Sequence, residues 1–202
     1  MRHALPIRPV LPVLALALVA TLALADADTD SLWDIDDARI ATKIEIQVDK
    51  AGNVLEAEFH VDPQVVPAAV RAAMEKLHPG GTFTDAEIER QDGVLYYELT
   101  STSDGRESEA MFLPDGTLHS EENEVGESEV PEAVRAAIKA AFADGQATKW
   151  EEIRDEERQL VEYHVKLTRG GRKIKAMVTT KGVLRGAVLE VPAEIEVPIS
   201  LR

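Results

Sequence analysis

Two periodicities alternate along the chain. Val66, Ala69, Val70, Ala73, Met74 and Leu77 fall on one stripe of a helix, and Val130, Ala133, Val134, Ala137, Ile138 and Ala141 repeat that stripe further on. Pro67 and Pro131 stand at the helix entrances, where a missing N–H costs nothing. Pro79-Gly80-Gly81 and Asp144-Gly145 end the two helices. After each helix the period drops to two. Leu95, Tyr97 and Leu99 alternate with Tyr96, Glu98 and Thr100, while Val161, Tyr163, Val165 and Leu167 alternate with Glu162, His164 and Lys166. Such alternation belongs to a sheet with one buried and one wet face. Asp92-Gly93, Asp104-Gly105, Asp115-Gly116 and Gly170-Gly171 supply hairpin turns. Ahead of the first helix, Ile44 to Val48 alternates, turns at Ala51-Gly52-Asn53 and resumes from Val54 to Val61.

The pattern is a duplication. Val66-Pro67-Ala68-Ala69-Val70-Arg71-Ala72-Ala73 recurs as Val130-Pro131-Glu132-Ala133-Val134-Arg135-Ala136-Ala137. Tyr97-Glu98-Leu99 answers to Tyr163-His164-Val165, Ala110-Met111 to Ala176-Met177, and Gly116-Thr117-Leu118 to Gly182-Val183-Leu184. The offset is 64 through the helix and 66 after it, and at 64 the leading hairpin is included, since Gly52 falls on Gly116. The prediction is an α+β protein of two tandem units, each a helix packed on a roughly four-stranded antiparallel sheet. The first unit covers 43–125 and the second 126–191, and a Pro-bearing tail, 192–202, follows. The two sheets join edge to edge or form one curved surface.

The N-terminus changes the picture of where this protein works. Arg2, His3 and Arg8 precede an apolar run from Val13 to Leu22, and Ala23-Leu24-Ala25 stands before Asp26. These are the three parts of a secretory signal peptide, 1–25, and the apolar run is too short to span a bilayer. A periplasmic or secreted location is expected, with no membrane span after cleavage. An acidic, flexible segment, 26–42, then leads into the first unit.

Charge and chemistry narrow the function classes. The chain carries a formal charge of −15, and losing residues 1–25 leaves 20 Lys+Arg against 37 Asp+Glu, or −17. Phosphate backbones and anionic lipid are repelled, so nucleic acid is not an expected partner. Basic partners and weakly held divalent cations are electrostatically allowed. With no cysteine there is no disulfide framework, thiolate nucleophile or thiolate metal site. His60, His78, His119 and His164 lie at no metal-ligand spacing, and the acidic run from Asp26 to Asp37 lacks the glycine and terminal glutamate of a calcium loop. No metal ligands and no cofactor are expected. No serine elbow is present, and nothing in the sequence indicates a buried carboxylate pair, so no catalytic residues are assigned. Tyr96 and Trp150 are the candidate binding residues. Tyr96 points away from the core if Tyr97 points into it, and exposed aromatics on a sheet are commonly recognition anchors.

Val66-Pro67 at a helix entrance, Tyr97-Glu98-Leu99 in a strand, and Ala110-Met111-Phe112-Leu113-Pro114-Asp115-Gly116 at a strand and turn resemble the PepSY-like family, whose members have the fold of the β-lactamase-inhibitor proteins. The second copy departs from that pattern at Tyr163-His164-Val165 and Lys181-Gly182. The resemblance runs from about Lys43 to Val191. It implies a tandem helix-plus-sheet fold and binding or inhibition of other proteins. The expectation is an exported, non-catalytic protein that recognises an unidentified protein through a sheet surface, as inhibitor or folding partner. The alternative is an acidic divalent-cation-binding or buffering protein of the envelope.

Overall fold

The computed structural model describes residues 34–91 and 93–196, so the expected signal peptide and the start of the acidic segment lie outside the described residues. A short helix, α1 (Ile35–Ile40), precedes a hairpin of β1 (Lys43–Val48) and β2 (Val54–Val61). Helix α2 (Ala68–Leu77) leads to β3 (Thr82–Gln91), β4 (Val94–Ser103), β5 (Arg106–Phe112) and β6 (Leu118–Val125). Helix α3 (Glu132–Ala141) then leads to β7 (Gln146–Arg154), β8 (Leu160–Arg169), β9 (Arg172–Thr179) and β10 (Leu184–Leu189).

All ten strands form one antiparallel sheet in sequential order, each pairing with its neighbours in the chain. The expectation of a separate, roughly four-stranded sheet in each unit is therefore corrected, and the alternative of one continuous surface agrees with the single sheet. The reason lies in the repeat. At offsets of 64 to 66, β1-β2 corresponds to β5-β6, β3-β4 to β7-β8, and β5-β6 again to β9-β10. The hairpin β5-β6 thus ends one copy and begins the next. β6 pairs with β7 across α3 just as β2 pairs with β3 across α2, so pairing continues through residue 125.

Both helices cover the same face of the sheet. Val66, Val70 and Met74 of the first stripe are buried against Ala57 and Phe59 of β2, Ile88 of β3, Leu99 of β4 and Phe112 of β5. Val130, Val134 and Ile138 are buried against Trp150 of β7, Tyr163, Val165 and Leu167 of β8, and Val178 of β9. Each fully buried Val, Leu, Phe or Met contributes about 1.5–3 kcal/mol. The two cores are separated on that face by β6, which presents Glu121 and Asn123. Glu121 is 1 % exposed and meets Arg158 Nε at 3.0 Å and His78 Nε2 at 3.2 Å, while Asn123 accepts from Ser108 at 2.9 Å.

The acidic lead-in is ordered at its end. Asp34 caps α1 by accepting from the Asp36 N–H at 2.8 Å, Ala38 joins the first core, and Arg90 pairs with both Asp34 and Asp37.

Candidate functional site

The helix-free face carries the odd chemistry of this protein. Alternation on β2 to β9 turns Glu56, Glu58, His60, Glu87, Glu89, Tyr96, Glu98, Glu109, Glu122, Glu151, His164, Lys166 and Lys175 to this side, as the strand pairings require. No helix among the described residues covers it, yet Glu89 is 3 % exposed, His60 7 %, Met111 and Ile153 8 %, and Glu151 1 %.

Curvature accounts for that burial. On a flat sheet β2 and β9, seven strands apart, would stand about 34 Å from each other, far beyond the roughly 8 Å over which salt lets charges interact. Yet Lys175 of β9 is held charged by Glu122, Glu58, Glu56 and Glu98 against the cost of burial, and its ammonium is pushed up in consequence. Ala193 and Ile195, beyond β10, line one cleft with Lys43 and Ile44 of β1. The sheet therefore curls until its two ends approach, and its helix-free face is the inside of the curl.

The two copies line this interior differently. Glu58, Glu87 and Glu98 in the first correspond to Glu122, Glu151 and His164 in the second. Burial, with Glu87 and Glu56 adding repulsion, pushes the Glu58 carboxyl up to about 8. Glu87 is pushed up to about 7 by burial, although His60 opposes the shift. Glu89 goes to about 9 through burial and Glu56, and Glu98 rises well above the usual range through burial and then Glu87 and Glu109. In the second copy, burial is outweighed by His164, which holds Glu122 down at about 2. His164 itself rises to about 9 against burial, through Glu122 at 3.4 Å and Glu162 at 3.3 Å. Lys149 Nζ reaches Glu107 at 2.6 Å, Glu109 at 3.2 Å and Glu151 at 2.8 Å, and Lys166 reaches Glu151 at 3.0 Å. The bases of the interior thus come mainly from β7 to β9, while β2 to β5 bring an excess of carboxylates.

The candidate aromatics fall on opposite faces. Tyr96 stands on the helix-free face, half-buried, its ring 4.7 Å from that of His119. Trp150 points to the helices and is 7 % exposed within the second core. Sequence reasoning missed the buried carboxylates and the histidine clusters. His60 meets Asp85 at 2.7 Å and Glu87 at 3.4 Å, both from β3, and Glu45 at 3.6 Å, from β1. Spacing along the chain could not show this, because the partners come from two other strands. The available signal was the run of acids at alternate positions, Glu56-Glu58, Glu87-Glu89 and Glu107-Glu109.

Residues 35–105 and 96–185 each match the model of the beta-lactamase-inhibitor-like, PepSY-like family, and the two matches overlap on β4 and the turn after it. No curated protein matches the sequence. Among solved structures, a DUF2874 family protein from Bacteroides uniformis is 20 % identical, with a TM-score of 0.49 over 61 % of this chain and 88 % of its own. A candidate periplasmic protein from Bacteroides eggerthii is 23 % identical over the same shares, also at 0.49. A BLIP-like protein from Bacteroides fragilis is 23 % identical, at 0.47 over 63 % of this chain and 89 % of that one. With its two matches spanning most of the sequence, the chain belongs to the beta-lactamase-inhibitor-like, PepSY-like family.

Proposed function

We propose that this is an exported binding protein, not an enzyme, and that the inside of the curled sheet receives a basic segment of another protein. The observation that carries the reading is a set of carboxylates, Glu89 buried and Glu58, Glu87 and Glu98 half-buried, gathered on a face that no helix among the described residues covers. Gathering such groups with only Lys175 and His60 as nearby cations costs stability, and a partner's Lys or Arg side chains would relieve that cost on binding. Tyr96, half-buried beside this acidic region, supplies an aromatic contact at its margin. Trp150 supports the surface from beneath, by fixing β7 against α3.

Titration calorimetry with Lys/Arg-rich and Glu-rich peptides of equal length tests the charge preference, alongside capture from an envelope extract with wild type and Tyr96→Ala. Binding of the basic peptide alone, weakened by salt and by Glu98→Gln with Glu109→Gln, is expected. Equal binding of both peptides, or none with the fold intact, overturns the reading.

A further inference from the structure

His60 is held in a way that leaves one of its nitrogens without a hydrogen bond, in a longer ion-pair contact with Glu45. Its side chain is 8 % exposed. Nδ1 lies 2.7 Å from Asp85 Oδ2, and Asp85 is itself fixed, because its other oxygen accepts from the Ala86 N–H at 2.9 Å. An ionised carboxylate only accepts, so the Nδ1 proton sits in this bond and the ring orientation is set. Nε2, on the other side of the ring, is buried and has no hydrogen-bond partner. The groups around the ring are Glu45 and Lys43 of β1, Glu58 of β2, and Asp85 and Glu87 of β3. Nε2 lies 3.6 Å from Glu45 Oε1, too far for a hydrogen bond.

That separation suits another use. Nitrogen and oxygen donors about 2.0–2.2 Å from a tetrahedral zinc ion stand about 3.4 Å apart along the edges of the tetrahedron. Glu45, Glu58 and His60 each offer one ligand atom, and the three atoms lie within 4.8 Å of one another. A carboxylate behind a ligating imidazole is the usual outer support of such a centre, and Asp85 stands there. The donor set of one imidazole and two carboxylates suits zinc better than calcium, which takes six to eight oxygens.

We propose that His60 Nε2, Glu45 and Glu58 bind one divalent cation of the zinc class, with Asp85 orienting the imidazole and a fourth position open to the interior of the curl. The charge balance favours it. Two ligand carboxylates lie beside Glu87, whose carboxylate stands 3.4 Å from the ring, so a divalent cation would offset like charge gathered there. Lys43, which pairs with Glu45, has a side chain 59 % exposed and is free to swing aside. The related trio Glu122, Glu151 and His164 is already supplied with cations, since Lys149 and Lys166 both hold Glu151.

Competition between the purified, metal-stripped protein and a chromophoric chelator for zinc measures the site, with calcium and magnesium in parallel. One equivalent of zinc is expected to bind, with His60→Gln and Glu58→Gln each weakening it tenfold or more. Asp85→Asn is expected to weaken it about 10- to 100-fold, and His164→Gln to leave it unchanged. Wild type loaded with cobalt needs no variant, and strong visible bands of a four-coordinate centre are expected there. Absence of stoichiometric zinc binding, unchanged affinity in His60→Gln, loss in His164→Gln, or the weak spectrum of six-coordinate cobalt would each overturn the proposal.

Discussion

Glu98 and His164 occupy one position in successive copies of the same repeat, and both hold their proton more tightly than a free side chain of their type. Glu98 does so as a neutral acid, because burial and the carboxylates of Glu87 and Glu109 oppose its ionisation. His164 does so as a cation, because Glu122 and Glu162 overcome the cost of burying it. The same place in the fold thus holds a proton in both copies but carries positive charge only in the second.

Glu98→Gln is expected to stabilise the protein near pH 8. A carboxyl whose folded pKa is raised weakens the fold progressively as pH climbs above its unfolded value of 4.5. The variant removes that penalty, so the gain grows as pH rises towards 8 and vanishes below about pH 4. Urea unfolding at several pH values reads the difference, and a gain independent of pH would contradict it.

His164→Gln should act in the opposite sense. A raised histidine pKa contributes stability that is complete below the unfolded value of 6.5 and lost as pH rises through about 9. Glu122, Glu162, Glu151 and Lys175 all face this ring, with Lys175 opposing its charge. Leaving Glu122 and Glu162 without it costs about 3 kcal/mol near pH 6. The gap between variant and wild type should narrow by about pH 10, as melting curves at the two pH values would show.

Arg158 combines an ion pair with a left-handed backbone, at φ 61°. Arg158→Ala exposes the buried Glu121 carboxylate to the loss of its main partner and is expected to cost about 3 kcal/mol. Arg158→Gly loses the same pair but relieves the backbone, and should unfold about 0.5–1 kcal/mol later than the alanine variant. Equal stabilities would show that the backbone carries no strain here.

Turn glycines after β5 and β9 seat the hairpins on the helices. A Cβ on Gly182 would lie 2.4 Å from the Ala133 carbonyl oxygen, and one on Gly116 would lie 2.8 Å from that of Ala69. Gly105, at φ 76°, would meet nothing within 4 Å. Gly182→Ala is expected to cost more than about 3 kcal/mol and Gly105→Ala only about 1 kcal/mol. Thermal denaturation of the two variants checks the ordering.

Much of this arrangement was legible residue by residue. The stripe from Val66 to Leu77 marks α2 because a helix turns side chains through one face every three or four positions. Alternation in Val94 to Ser101 marks a strand and already assigns Tyr97 and Leu99 to the core, Tyr96 and Glu98 to the other side. The offset from Gly116 to Gly182 marks the duplication. These are local properties, written in spacing alone.

What spacing could not decide was how the pieces close. That β5-β6 serves both copies, making one sheet, depends on β6 finding β7 across α3. The inward curl depends on twist accumulated over ten strands with both helices on one side. Local spacing therefore told which side chains share a face, as with Glu58, His60 and Glu87. Only the curl made that face an interior, because burial of a carboxylate, like the approach of His60 to Glu45 and Asp85, is set by strands distant in the chain and near in space.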